Sequence, residues 1–415
     1  MPVTPWAEWS VLADRGGPLG FVLWRSAADV LLWCEADPAE RRALFGVALF
    51  HEPDLVAFAI RQAPDLREAI QTLWTVHTLP ELADADAASD ACYRVSRWAE
   101  SQGIIRTAAQ FAELAARLQP ESAPRAFTAG RLCRRAGEVQ RAAIWYSRSN
   151  RLARRAGSNI DRANAHLGLG NLEYDLGHHA RAEQHFLKAA RAALRNGRKS
   201  LAGAAHHNLV GVAYETGRVE EALQHLGIAS EYYGADHPRF PVLAYDAGFF
   251  LLREGYFSSA LLVFESVLPW LVGQRVEILA RSALARSAAA VRDHIRYQRA
   301  AEAVLALAAM DDEGSANALY QLAEGARSFL YWERAEELAK RAFEVGRKRQ
   351  DGITIQSAAA LLRAISGKEP GDVDRVPPVG DPVDRVTQEI MRKLKKRPAP
   401  ASGTGTVPPE DYPTD

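Results

Sequence analysis

Apolar positions recur at three- and four-residue spacing through most of the chain, and short polar breaks containing glycine interrupt them at regular intervals. That period is helical, and strict two-residue alternation is absent, so the pattern predicts an all-α protein. Placing "GNLEYDLGHHARAEQHFLKAARAA" from Gly170 over "VGVAYETGRVEEALQHLGIASEYY" from Val210 superposes Tyr174 on Tyr214, Gly177 on Gly217, Ala182 on Ala222 and His185 on His225. An offset of forty residues with matched turns is the mark of a repeat array. A small residue recurs in the same frame at Ala108, Ala142, Ala182, Ala222, Ala260, Ala300 and Ala335. Glycines precede five of these, at Gly103, Gly137, Gly177, Gly217 and Gly255.

Seven repeats follow, each of two amphipathic helices joined by a turn. Glycine takes the left-handed conformation that ends the first helix. Alanine lets the second helix approach the first, and an aromatic four residues on (Tyr146, Phe186, Phe264) fills the space beyond. One such pair cannot bury its apolar stripe alone, so neighbours must stack.

The pattern resembles the tetratricopeptide repeat (TPR) family: a small residue at position eight (Gly130, Gly170, Gly248), then Gly, Ala, an aromatic and Ala at positions fifteen, twenty, twenty-four and twenty-seven. "GYFSSALLVFESVLP" and "YWERAEELAKRAFEV" carry it well; the early Trp is absent, the sixth repeat lacks its turn glycine, and several spacings of forty exceed the thirty-four-residue form. The resemblance covers residues 89–349 and implies a right-handed α-solenoid of about seven TPR-like helix pairs. It also implies that first-helix positions 2, 5, 6, 9, 12 and 13 line a concave peptide-binding groove. Residue by residue these give Arg94 and Arg97; Arg131, Arg134 and Arg135; Asn171 and Tyr174; Asn208 and Tyr214; and Tyr245, with Tyr93, Phe127, Asn164, His207, Asp246 and Phe249 beside them. Guanidinium forks suit carboxylates, amides suit a peptide backbone, and tyrosines supply apolar area with a polar tip.

Residues 1–88 read as a helical N-terminal cap or domain holding Trp6, Trp9, Trp24, Trp33 and Trp74 as core residues. Residues 350–366 read as a C-terminal capping helix. From Gly367 to Asp415 the prolines multiply and the composition predicts a disordered tail. Within it, 383–397 places Val383, Val386, Ile390 and Leu394 on one stripe of a short helix able to fold in a groove, including one of this same chain.

Charge changes the picture more than composition does. The net charge is zero, yet residues 1–90 carry 6 basic against 14 acidic residues (−8), and residues 123–200 carry 16 against 5 (+11). Such blocks steer partners, so two further readings stand beside the peptide groove: nucleic-acid binding through the basic 123–200 region, and a peptide-responsive regulatory switch. Self-association or autoinhibition by the acidic N-terminal segment or the tail is a corollary of the same asymmetry.

Chemistry for catalysis is missing from the pattern. There is no G-x-S-x-G, no Walker-type loop, no H-E-x-x-H and no paired C-x-x-C. His166 and His206, like His185 and His225, are equivalents in successive repeats, so repetition rather than metal binding explains them. No cofactor, no metal and no enzymatic activity are expected. Three scattered cysteines argue against a disulfide framework, and neither a signal peptide nor a membrane span is indicated. An excess of Arg over Lys points to a GC-rich bacterial genome, and the expectation is a cytoplasmic adaptor or scaffold with a protein partner.

Overall fold

The structure is a computed structural model that describes residues 17–45, 53–274, 276–309 and 314–398. Trp6 and Trp9, the residues before Gly17 and those after Pro398 lie outside the described residues. Among those described there are nineteen α-helices and no strand. The chain divides into two compact units, residues 1–201 and 202–415.

Unit one opens with α1 (Gly17–Glu35), α2 (Pro53–Gln62) and α3 (Arg67–Thr78), followed by the helix pairs α4 (Ala85–Ser101) with α5 (Ile105–Leu118), α6 (Ala123–Arg135) with α7 (Val139–Arg155), and α8 (Asn159–Asp175) with α9 (His179–Arg195). The first three helices share one apolar core with the first pair: Leu19, Leu23, Ile70 and Leu73 pack with Cys92, Phe111 and Leu114. Trp33 is buried there and its indole N–H donates to the Pro80 carbonyl (2.8 Å), whereas Trp24 and Trp74 are only partly covered. Asp84, Ser122 and Ser158 cap α4, α6 and α8 by accepting backbone N–H bonds, which satisfies donors a helix start leaves open.

Unit two holds the pairs α10 (Lys199–Glu215, whose first turn belongs to unit one) with α11 (Val219–Tyr233), α12 (Phe240–Arg253) with α13 (Phe257–Val267), α14 (Glu277–Ala290) with α15 (His294–Ala308), and α16 (Ser315–Ser328) with α17 (Trp332–Arg349). α18 (Gly352–Ser366) packs on α17, and α19 (Pro382–Lys396) ends the described chain.

Within the pairs the turns behave as the glycine pattern requires. At Gly177, φ is +73°; its N–H donates to the Tyr174 carbonyl and the next N–H, of His178, to that of Glu173. This double bond closes the last turn of the helix. Ala108, Ala142, Ala182, Ala222, Ala260 and Ala335 are fully buried. Their aromatic partners explain the helical glycines: a Cβ on Gly170 would lie 2.4 Å from the Phe186 ring, and one on Gly248 2.9 Å from Phe264. Tyr146 packs against both Gly130 and Gly168, where added Cβ atoms would stand 2.7 and 2.2 Å from the ring.

The sixth repeat corrects the sequence register. Its turn residue is Arg292, at φ +65°, two residues before α15 as Gly255 is before α13. Five residues on stands Tyr297, not Ala300. Tyr297 is buried because Gly325 of α16 makes room for its ring, a Cβ there coming within 2.7 Å. Alanine then stands at the usual aromatic place, Ala301. Large and small side chains have exchanged positions, and the volume is conserved.

The tail departs from the expectation of disorder up to Pro398, the last described residue. α19 buries Val383, Ile390 and Leu394 against α11, α12 and α13. Lys393 donates from Nζ to the Ser230 carbonyl (2.6 Å) near the C-terminal end of α11, and Arg397 donates to the Ala235 and His237 carbonyls. Composition signalled a chain too polar to fold alone; the apolar stripe finds its partner more than a hundred residues away.

Candidate peptide-binding surfaces

Counting each turn residue as position fifteen places the groove candidates on the first helices. In unit one Arg97, Arg131 and Arg135 surround Glu100, which itself occupies position twelve of the first repeat and was absent from the sequence-predicted set. Arg131 donates to it from both guanidinium nitrogens (2.6 and 2.8 Å), Arg135 also donates to it, and Arg97 stands 3.8 Å away. Burial by itself raises the Glu100 carboxyl, but the Arg131 fork and the neighbouring positive charges outweigh it and hold the group below the usual carboxylate range. Arg131 is 4% exposed.

Arg131 therefore does not face a ligand: its fork is committed to Glu100 and buried. Arg94, Arg97 and Arg134 differ. Arg94 pairs with the exposed Glu68 at 2.6 Å, Arg134 with the exposed Asp175 at 2.8 Å, and Arg97 is about half exposed. Among these eight residues five are basic and three acidic, a net of 5 − 3 = +2. Asn171 and Tyr174 are half-buried on α8, with the Tyr174 ring edge-on to His179.

The remaining candidates belong to unit two. Tyr214 lies under the Arg253 guanidinium, 4.1 Å from the ring centre. Tyr245 packs edge-on against Phe249 and Phe264, and burial pushes its phenol above the ordinary tyrosine range. His207 reaches Asp246 at 2.7 Å, and Asn208 is half-buried beside it. The ten predicted residues thus form two sets, seven on unit one and three on unit two.

The repeated histidines form two like pairs between the helices of a repeat. Nδ1 of His166 lies 3.1 Å from Nδ1 of His185, and Nδ1 of His206 3.2 Å from Nδ1 of His225. One ring of each pair donates and the other accepts, so at most one ring of a pair carries a charge. Burial, and then the neighbouring imidazole, lowers His166 and His206 to about 4. No three His, Cys, Asp or Glu side chains among the described residues converge as a metal-binding group. Cys34, Cys92 and Cys133 are free thiols, and burial raises all three.

A further polar surface on unit two went unnoticed in the sequence. Arg286, Gln321, Glu324, Arg327 and Ser328 occupy positions 9, 6, 9, 12 and 13 of the sixth and seventh repeats, once Arg292 and Leu330 are recognised as the turn residues. Residues 369–375 of the tail lie on this surface. Asp372 accepts from Nε and Nη2 of Arg286 at 2.5 and 3.1 Å, and Arg286 also donates to Gln321. The signal available was the arginine at position nine; the missing turn glycine concealed it.

Among the described residues fourteen of the nineteen helices form seven pairs, six around a fully buried alanine and five turning at glycine, and they define a helical-repeat protein. No protein-family model matches the sequence, and no curated protein does. Among solved structures the chain is similar to a tetratricopeptide repeat protein from Parabacteroides merdae (15% identity over 67% of this chain and 98% of that one, TM-score 0.44). It is similar also to the APC/C hetero-tetramer Cut9-Hcn1 (15%, 83% and 62%, TM-score 0.48) and to pilF of Pseudomonas aeruginosa (17%, 54% and 93%, TM-score 0.42). No helix among the described residues is long and apolar enough to cross a membrane.

Proposed function

We propose that the chain is a protein–protein interaction scaffold whose first-helix surface in unit one takes an acidic peptide or helix. The observation that carries this reading is the excess of arginine at ligand-facing positions over a fixed, buried anchor. The Arg131–Glu100 pair sets the geometry of α4 against α6. Arg94–Glu68 is an exposed pair of the kind worth only about 0.2–1 kcal/mol, so a ligand carboxylate can replace Glu68 at little cost; Arg134 is mostly covered and meets the exposed Asp175 at 2.8 Å. Asn171 and Tyr174, on the next first helix, offer amide and phenol contacts to the ligand's backbone.

The test replaces Arg94, Arg97 and Arg134 with Glu and leaves Arg131 in place. Binding is read by fluorescence anisotropy with a panel of labelled Asp/Glu-rich peptides at low and high salt. The wild type retains members of the panel with salt-dependent affinity, and the triple variant loses them by roughly tenfold or more. Equal retention by both proteins removes the reading.

One observation supports a second surface for polyanions. Arg151, Arg154 and Arg155 stand exposed on a single face of α7, where with Ser147 and Asn150 they line an open cleft of about 630 Å³. Contacts of this kind would be chiefly to phosphate and steeply salt-dependent. A labelled DNA duplex that shows no anisotropy change at low salt dismisses nucleic acid as the occupant.

A further inference from the structure

Residues 369–375, Glu-Pro-Gly-Asp-Val-Asp-Arg, cross unit two without regular secondary structure, yet three of their backbone groups and both Asp carboxylates are met individually. The Pro370 carbonyl accepts from Arg327 at 2.9 Å, and the Asp372 N–H donates to the Ser328 hydroxyl at 3.2 Å. Gly371 lies so close that a Cβ would stand 2.5 Å from the Cα of Ser328. The Asp372 carboxylate is gripped by the Arg286 fork. Two residues on, the Asp374 carboxylate accepts from the backbone N–H of Ser258 at 3.0 Å and from its hydroxyl, at the N-terminus of α13, where the helix dipole favours an anion. The Arg375 N–H donates to the Gly255 carbonyl at 2.8 Å.

The grip is polar throughout. Val373 and Val376 are each 77% exposed and Val379 is 99% exposed, so the segment is held by main-chain bonds and two carboxylates rather than by apolar burial. Its flanks are held differently: α18 packs on α17, and α19 is seated by Val383, Ile390 and Leu394. Residues 369–375 can therefore lift off as a strap while both flanks stay docked, and no large apolar surface is uncovered. The surface recognises an extended Gly-Asp-x-Asp run and one backbone group on either side of it, whichever chain carries them.

We infer that this face of unit two is a binding surface for an extended Gly-Asp-x-Asp segment of a partner protein, and that residues 369–375 occupy it in cis. Arg286 and the start of α13 read the two carboxylates, Arg327 and Ser328 read the backbone before them, and the close approach of Gly371 selects glycine. Tethering at both ends gives the strap an effective concentration in the millimolar range. A partner segment displaces it by adding contacts outside these seven residues. The surface is separate from the arginine set of unit one, and either can fail without the other.

The test uses the full chain and a fluorescein-labelled peptide of residues 367–375. Asp372→Asn with Asp374→Asn loosens the strap, and this variant binds the peptide roughly tenfold or more tightly than the wild type, whose own strap competes at millimolar effective concentration. Adding Arg286→Gln to the double variant removes that binding. If the double variant loses its helical circular dichroism, Asp374→Asn alone, which keeps the Arg286–Asp372 pair, carries the same comparison with a smaller gain. Peptide binding unchanged from wild type in the folded variant, or binding that survives Arg286→Gln, overturns the proposal.

Discussion

Gly168→Ala tests the packing that makes the repeats stack. Gly168 lies within α8, where alanine is the better helix former by about 1 kcal/mol. Propensity alone therefore predicts stabilisation. The ring of Tyr146 forbids it: a Cβ at Gly168 would stand 2.2, 2.5 and 2.7 Å from three ring carbons, and Gly130 packs against two of the same carbons. The ring must then leave its rotamer or α8 must move off α7, and overpacking of this kind costs about 1–3 kcal/mol. The net expectation is a loss of about 1 kcal/mol in urea unfolding followed by far-UV circular dichroism, taking the upper half of that range against the propensity gain. Removing the ring reverses the sign. Tyr146→Ala is itself destabilising by about 3–5 kcal/mol, but in that background Gly168→Ala raises the unfolding midpoint, by about 1 kcal/mol equivalent. A Gly168→Ala protein at least as stable as wild type, or a change of the same sign in both backgrounds, refutes the clash.

Three further outcomes follow from buried charge and backbone strain. Glu100→Gln leaves the Arg131 guanidinium, 4% exposed, without its counter-charge and costs about 3 kcal/mol by chemical denaturation; a loss below experimental error would mean that the pair is not buried in solution. Acid weakens the fold through His166, His206 and His237, each lowered to about 4 by burial first. Below about pH 6.5 the unfolded chain binds protons that the folded chain refuses, so this stability is intact above pH 6.5 and drains away towards pH 4. Discounted for partial exposure, the loss is about 1 kcal/mol per histidine at pH 5, and a melting temperature flat between pH 7 and pH 5 would contradict it. Arg292→Gly relieves a left-handed residue at φ +65° and raises the melting point by an amount equivalent to about 1 kcal/mol; no change, or a fall, argues against strain at that turn.

Most of the fold was legible because its two signals are local. A turn glycine and an alanine five residues later each report a constraint within one helix pair, and where both are present, as at Gly177 and Ala182, the sequence register and the structure agree. Where Arg292 takes the turn, the local signal fails, and the nearest alanine in the expected frame, Ala300, draws the eye from Tyr297. The compensation sits on another repeat, at Gly325. The first-helix candidates were legible as residue types but not as charges, because Glu100 and Asp175 meet their arginines from different helices, thirty-one to forty-one residues away. The tail was the least legible segment: its prolines describe a chain without internal structure, which is true of 369–378 taken alone, while the bonds that order it reach back 43 to 163 residues.

Position nine connects the two surfaces. Arg131 and Arg286 occupy it in the second and sixth repeats, the first buried and the second partly covered, each forked onto a carboxylate by two hydrogen bonds. For Arg131 the carboxylate is Glu100, three residues before the turn of the neighbouring repeat and hence fixed by the array itself. For Arg286 it is Asp372, which no repeat supplies. The array places the Glu324 carboxylate near Arg286, but the guanidinium fork itself is taken by the strap. Arg131 thus holds two repeats together whereas Arg286 holds the strap, although the two are the same residue at the same place in the repeat. The distinction is measurable: Arg286→Gln should be tolerated better in the Asp372→Asn background than alone, because the second change removes the carboxylate that the first leaves unpaired, and strictly additive losses would show that the two groups do not meet.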